Sequence, residues 1–152
     1  MKIFIGSDHA GFELKKNLIG YLEDLGHDVR DCGAKEFNPE DDYPDFIIPV
    51  AKEVSHMPDK VRGVVIGGSG QGEAMCANKV YGVRAAVYYG GNKDIIRLSR
   101  EHNDANVLSL GARFISPEEA RVAVKLWLDT PFSGDERHKR RILKMYSAQI
   151  KK

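Results

Sequence analysis

Little in this chain of 152 residues points away from an ordinary globular interior. It has only two cysteines, Cys32 and Cys76, one tryptophan and a net charge of +1. The cysteines follow no metal or redox spacing, and a reduced, cytosolic setting is the simplest reading. Near-neutral charge leaves no basic field for nucleic acid. No apolar run is long enough to span a membrane, and the run in MKIFIGSDHAG is too short for a signal peptide. There is no repeat, low-complexity tract or interdomain linker. What remains is enough chain for one domain, 1–152, with one good core.

Within it, apolar runs alternate with amphipathic ones. Strands are expected at 2–6, 27–33, 62–68, 82–89 and 106–111, with 27–33 the weakest and nearest an edge. Helices are expected at 13–26, 46–55, 73–80, 92–102, 116–129 and 135–150. Gly26 stands where a helix C-cap belongs, Ser116 where an N-cap does, and Pro117 suits a first turn. The acidic stretch 34–46, with two prolines, reads as a loop. Five β–α units without a hairpin signal imply an α/β fold, with a five-stranded parallel sheet covered by helices on both sides and a C-terminal helix.

The stretch GGSGQGE (67–73) lacks the Lys-Ser/Thr of a phosphate-binding P-loop, and its glycines do not make a dinucleotide fingerprint. It offers backbone amides at a helix N-terminus, with room for a ligand to come close. Such donors can hold an oxyanion that forms during a reaction. Ser69 adds a hydroxyl, and Glu73 is then the candidate proton carrier. The plainer alternative is a tight turn, with Glu73 facing the helix dipole. A helix N-terminus lowers a carboxylate pKa, so a basic role requires burial or a bound anion to raise it.

Three other polar groups stand out. Asp8 and His9 end the first strand; they read either as a cap and a surface residue or as contacts to a hydroxyl and a phosphate. His102 and Asn103 precede the fifth strand, so in a parallel sheet they lie at the edge opposite the glycine loop. They are either structural or supplied to another subunit's crevice. Arg137 and Arg141 share one helix face at i, i+4, a good clamp for a phosphate dianion or simply a solvated basic face. Arg113, just past the fifth strand, lies at the correct edge to join them. His27 and His56 read as surface residues, and Cys76 and Trp127 as core.

SDHAGFELK (7–15), DYPDF (42–46), GGSGQGEAMCANK (67–79), REHNDANVLSLGAR (100–113) and RHKRR (137–141) occur in an order that resembles the ribose-5-phosphate isomerase B family. That family includes the subunits of galactose-6-phosphate isomerase. The resemblance implies a Rossmann-like α/β/α monomer and a homodimer, or a dimer of dimers, with shared active sites. It also implies metal-free, cofactor-free interconversion of an aldose and a ketose phosphate through an enediolate. Asp8 and His9 would fall near the substrate, and Ser69 with the amides of Gly70 and Gly72 would stabilise the enediolate. His102 would help open the sugar ring, beside Asn103. Arg113, Arg137 and Arg141, with His138 a further candidate, would hold the phosphate. Many members have a catalytic cysteine where this chain has Gly67. Another branch has glycine there and a glutamate early in the next helix, which makes Glu73 the expected base. Ribose 5-phosphate is the expected substrate. The alternatives are galactose 6-phosphate, allose 6-phosphate, a tetrose phosphate, or a nucleotide-binding regulatory role.

Overall fold

The computed structural model describes residues 1–148. Its strands are β1 (Lys2–Ser7), β2 (Asp28–Asp31), β3 (Val61–Gly67), β4 (Ala85–Tyr88) and β5 (Val107–Gly111). They form one wholly parallel sheet in the order β2-β1-β3-β5-β4. Every residue of β5 is buried, and so are all of β3 but Arg62 and all of β1 but Lys2, as suits central strands. DVRD of β2 alternates exposed and half-buried positions, the pattern of the edge strand that it is.

The helices are α1 (Phe12–Asp24), α2 (Pro44–His56), α3 (Gln71–Ala77), α4 (Asp94–Glu101), α5 (Pro117–Asp129) and α6 (Glu136–Ser147). Side chains alternate across each strand, which divides the core in two. Ile3, Ile5, Val64, Ile66, Leu108 and Leu110 face α1, α4 and α5, packing on Leu18, Leu22, Ile96, Val124 and Trp127. Phe4, Val65 and Val107 face α2 and α3, packing on Ile47, Val50, Val54 and Ala77. A leucine fully buried in such a layer contributes about 1.5–3 kcal/mol.

Local signals account for most boundaries. Ser116 Oγ accepts the Glu119 amide at 3.1 Å, and Gly26 follows α1 with φ +83°. Helix α2 begins at Pro44, two residues before its expected start, because the proline takes a first-turn position. The expected last helical residues, 149 and 150, lie outside the described residues. His27 differs from its surface reading. It is half-buried, its Nδ1 has no partner, and burial pushes its pKa down, with the N-terminal amine adding to the effect. Cys76 is only partly buried, against the second core layer. Among the described residues, no helix is long and apolar enough to cross a membrane.

Candidate active site

The strand order puts β1 beside β3, with the chain running outward from that pair in opposite directions. This is the switch point at which parallel sheets open a crevice beyond their carboxyl ends. The segments leaving β1, β3 and β5 therefore meet there, bringing Asp8, His9, residues 67–73 and Arg113 together.

Two consecutive glycines make the room. A Cβ on Gly67 would fall on the carboxyl group of Glu73, and a Cβ on Gly68 would stand 3.3 Å from the guanidinium carbon of Arg113. Glu73 thus reaches back from the first turn of α3 into the space that a side chain at the end of β3 would fill. It is only 4% exposed. Burial raises its pKa above the ordinary glutamate value; its own amide acts the other way, and the negative charge of Asp8 adds to the rise. The helix N-terminus expected to depress this carboxyl is outweighed.

The loop around it is held firmly. Gly70 caps α3 in the left-handed region, φ +76°, and its carbonyl accepts the Ser109 hydroxyl at 2.6 Å. A Cβ on Gly111 would stand 2.7 Å from the Ser69 carbonyl, so β5 and the loop are in close contact. Ser69 Oγ accepts the Gln71 amide at 3.3 Å. The first-turn amides of α3, Gly72 among them, lack intrahelical acceptors by geometry. The Tyr43 ring lies over Gly72, 3.0 Å from where a Cβ would be.

Asp8 caps the short turn His9–Gly11, its Oδ1 accepting the Ala10 and Gly11 amides at 3.0 and 3.3 Å. The capping role is therefore real, yet the residue also lies close enough to act on Glu73. His9 is not a free surface residue, because its Nδ1 lies 2.7 Å from Asp41 Oδ1, which also accepts its amide. Ligand atoms of Asp8, His9 and Asp41 lie within 4.8 Å of one another. The hydrogen bonds account for this convergence without a metal. Asp41 and Tyr43 come from the acidic loop and were not singled out in the sequence. The clustered acids and the DYPDF motif were the available signal.

A second cluster forms at the other edge of the sheet. His102 caps the C-terminus of α4, just before β5. Its ring stacks on His138 of α6, with centroids 4.3 Å apart. Arg137 and Arg141 flank His138 and are exposed, as is Asn103. The turn carrying His102 and Asn103 is anchored from below. Arg84 Nε donates to the carbonyls of Asn103 and Asp104, at 3.1 and 2.8 Å. The Asp104 carboxylate bridges Arg84 and Arg100 at 2.9 and 2.8 Å. Asp104 adopts φ +46°, an uncommon value for a non-glycine residue. Sequence reading missed this bridge, which joins residues up to 20 positions apart. The structure thus brings Glu73, Ser69, Asp8, His9 and Arg113 together, and gathers His102, Asn103, Arg137 and Arg141 elsewhere.

Such a crevice pairs a buried carboxyl with amide donors and one arginine; the second cluster pairs a histidine with two more. Residues 3–145 match the family model described as Ribose/Galactose Isomerase. The chain is 44% identical over 142 residues to a Ribose-5-phosphate isomerase B of Mycolicibacterium paratuberculosis, covering 93% of this chain and 87% of that protein. It is similar to the solved structure of Ribose-5-phosphate Isomerase B from Mycoplasma genitalium with bound Ribulose-5-phosphate. That match has a TM-score of 0.92 and 41% identity, over 97% of this chain and 95% of the other. The Clostridium thermocellum Ribose-5-Phosphate Isomerase B structure gives a TM-score of 0.91 at 44% identity, over 98% and 97%.

Proposed function

The chain belongs to the Ribose/Galactose Isomerase family, and on that premise we propose that it interconverts D-ribose 5-phosphate and D-ribulose 5-phosphate, with Glu73 as the proton carrier. The observation that carries the reading is the Glu73 carboxyl, buried with a raised pKa in the space left by Gly67, beside the amides of its loop. A base acting near neutral pH is helped by such a rise.

His102 moves a proton at the ring oxygen or anomeric hydroxyl and opens the furanose. Glu73 then takes the proton from C2, and its electron pair forms the C1–C2 double bond of an enediolate. The negative charge on O1 is met by Ser69 and the amides of Gly70 and Gly72. As the O2 hydroxyl proton passes to O1, the double bond moves to O2 and Glu73 returns its proton to C1. Loss of one donor of this kind lowers the rate by about 10²–10³-fold. Asp8 and His9 orient the sugar hydroxyls and phosphate, and Asp41 holds the His9 ring.

Arg113 holds the phosphate from the same side as Glu73. His102, Asn103, Arg137 and Arg141 lie at the opposite sheet edge, so they serve a second copy's crevice. That placement supports a homodimer with shared sites. Exposed Ile95 and Leu98 on α4, with Leu143 and Met145 on α6, supply apolar surface for it. Two free cysteines suit a cytosolic setting.

Proton NMR of the pure protein with D-ribose 5-phosphate in D₂O tests this. Ribulose 5-phosphate should accumulate, with deuterium at C1. Ketose without deuterium would imply a shielded proton or a hydride shift. Turnover of hexose or tetrose phosphates alone would move the substrate assignment and leave the base in place.

A further inference from the structure

His138 has no part in the scheme above, yet it is the most deeply buried side chain of α6, only 3% exposed. Its neighbours Arg137, Lys139, Arg140 and Arg141 are all exposed. Only His138 and Ile142 of this helix are buried, one helical turn apart. The imidazole lies nearly flat on that of His102, with planes 13° from parallel.

Its nitrogen is also committed. Arg137 Nε lies 3.3 Å from His138 Nε2. A guanidinium can only donate, so this nitrogen accepts and the ring proton sits on Nδ1. Nε2 is thereby closed to a phosphate, which needs a donor, and the ring's single N–H is on Nδ1. Burial lowers its pKa, and the positive charges of His102, Arg137 and Arg141 act in the same direction against Asp135. Charge on His138 is thus disfavoured beside the ring that the ring-opening step asks to move a proton. A neutral aromatic face favours a cation stacked on it, whereas a second imidazolium there would repel it.

We propose that His138 is a positioning residue for ring opening, a flat buried platform that holds the His102 imidazole in its working plane and ties it, through Arg137, to the phosphate clamp. This rests on the isomerase reading above. It assigns His138 a part in one step only, upstream of the proton transfer by Glu73.

That separation makes it testable. Ribose 5-phosphate is a closed furanose and needs ring opening. Ribulose 5-phosphate carries its phosphate on the hydroxyl that would close a five-membered ring, so it is an open chain. Deuterium exchange at its C1 in D₂O needs Glu73 and the oxyanion donors, not His102. His138→Ala should slow turnover of ribose 5-phosphate by about 10²-fold, the lower end of what general acid–base catalysis contributes, while exchange into ribulose 5-phosphate stays within about threefold of the wild-type rate. His138→Phe keeps a flat ring and should retain most of the turnover. If His138→Ala does not fold, His138→Asn replaces it, keeping polarity without a ring to stack.

Turnover and exchange falling together would overturn the proposal, and so would neither falling, or a Phe variant no better than Ala. A rise in KM for both sugars at unchanged kcat would show His138 to be a phosphate ligand instead. Wild-type protein without either rate would strike down the isomerase reading itself, before any variant is made.

Discussion

The seat of Glu73 can be tested by filling it. Gly67 ends β3 and does not have a positive φ, so alanine is acceptable to its backbone. The obstacle is the space, since a Cβ there would have both carboxylate oxygens and their carbon of Glu73 inside 3.0 Å. Backbone on one side and carboxyl on the other cannot both stay, and the longer side chain is the one able to swing away. Gly67→Ala should then act as a loss of the base, lowering kcat by about 10²–10⁴-fold, or about 2.7–5.5 kcal/mol of barrier. Overpacking adds about 1–3 kcal/mol of instability, small enough to leave the protein folded at 25 °C. KM should change little, because Arg113 lies against Gly68 and not Gly67. Steady-state kinetics with ribose 5-phosphate, beside Glu73→Gln and the double variant, provides the assay. If the two positions act through one carboxylate, the double variant is no slower than the worse single. Gly67→Ala with kcat within about threefold of wild type would refute the reasoning, since the carboxylate would then not need that seat.

Three further outcomes follow from the same geometry. The folded chain holds the Glu73 proton more tightly than the unfolded chain, so ionising it costs stability as pH rises through and above the ordinary glutamate value. Glu73→Gln should therefore melt higher than wild type at pH 7, a gap that closes in acid; kcat/KM of the wild type should fall as pH drops through the raised pKa. Asp104→Ala strands two arginines, one of them buried, at a cost of about 3 kcal/mol, seen as a Tm lower by about 6–12 °C. Mixing Glu73→Gln with His102→Ala after dissociation should restore about one quarter of wild-type activity, because half the dimers are mixed and each has one intact site. Mixtures no better than their parents would place both residues in one chain's site.

Much of the scaffold was legible because its signals are local. A short glycine-bounded run such as VVIG reads as a buried strand, and a Ser-Pro pair before an amphipathic stretch as a helix start. The loop GGSGQGE was legible as a candidate site because turn chemistry alone does not require so many glycines beside an acid. What escaped was set by distance along the chain. Asp41 reaches His9 across 32 positions, and Arg84 reaches Asp104 across 20. No periodicity marks such partners. The direction of the Glu73 shift also depended on burial, a property of the packed loop and not of the residues adjoining it. His138 was legible only as a further phosphate candidate, because its burial depends on how α6 packs.

The placement of His102 before β5 and Glu73 after β3 has a further consequence for how the protein behaves in dilute solution. Each chain completes its own sheet and both core layers, so separation of two copies need not unfold either. On the proposed shared-site arrangement, it would separate His102 from Glu73. Specific activity should then decline as the protein is diluted below its dissociation constant, while circular dichroism stays constant. Under that proposal, catalysis would be a direct reading of the association equilibrium, and any surface change that weakens pairing would be scored as a defect of an active site it never touches.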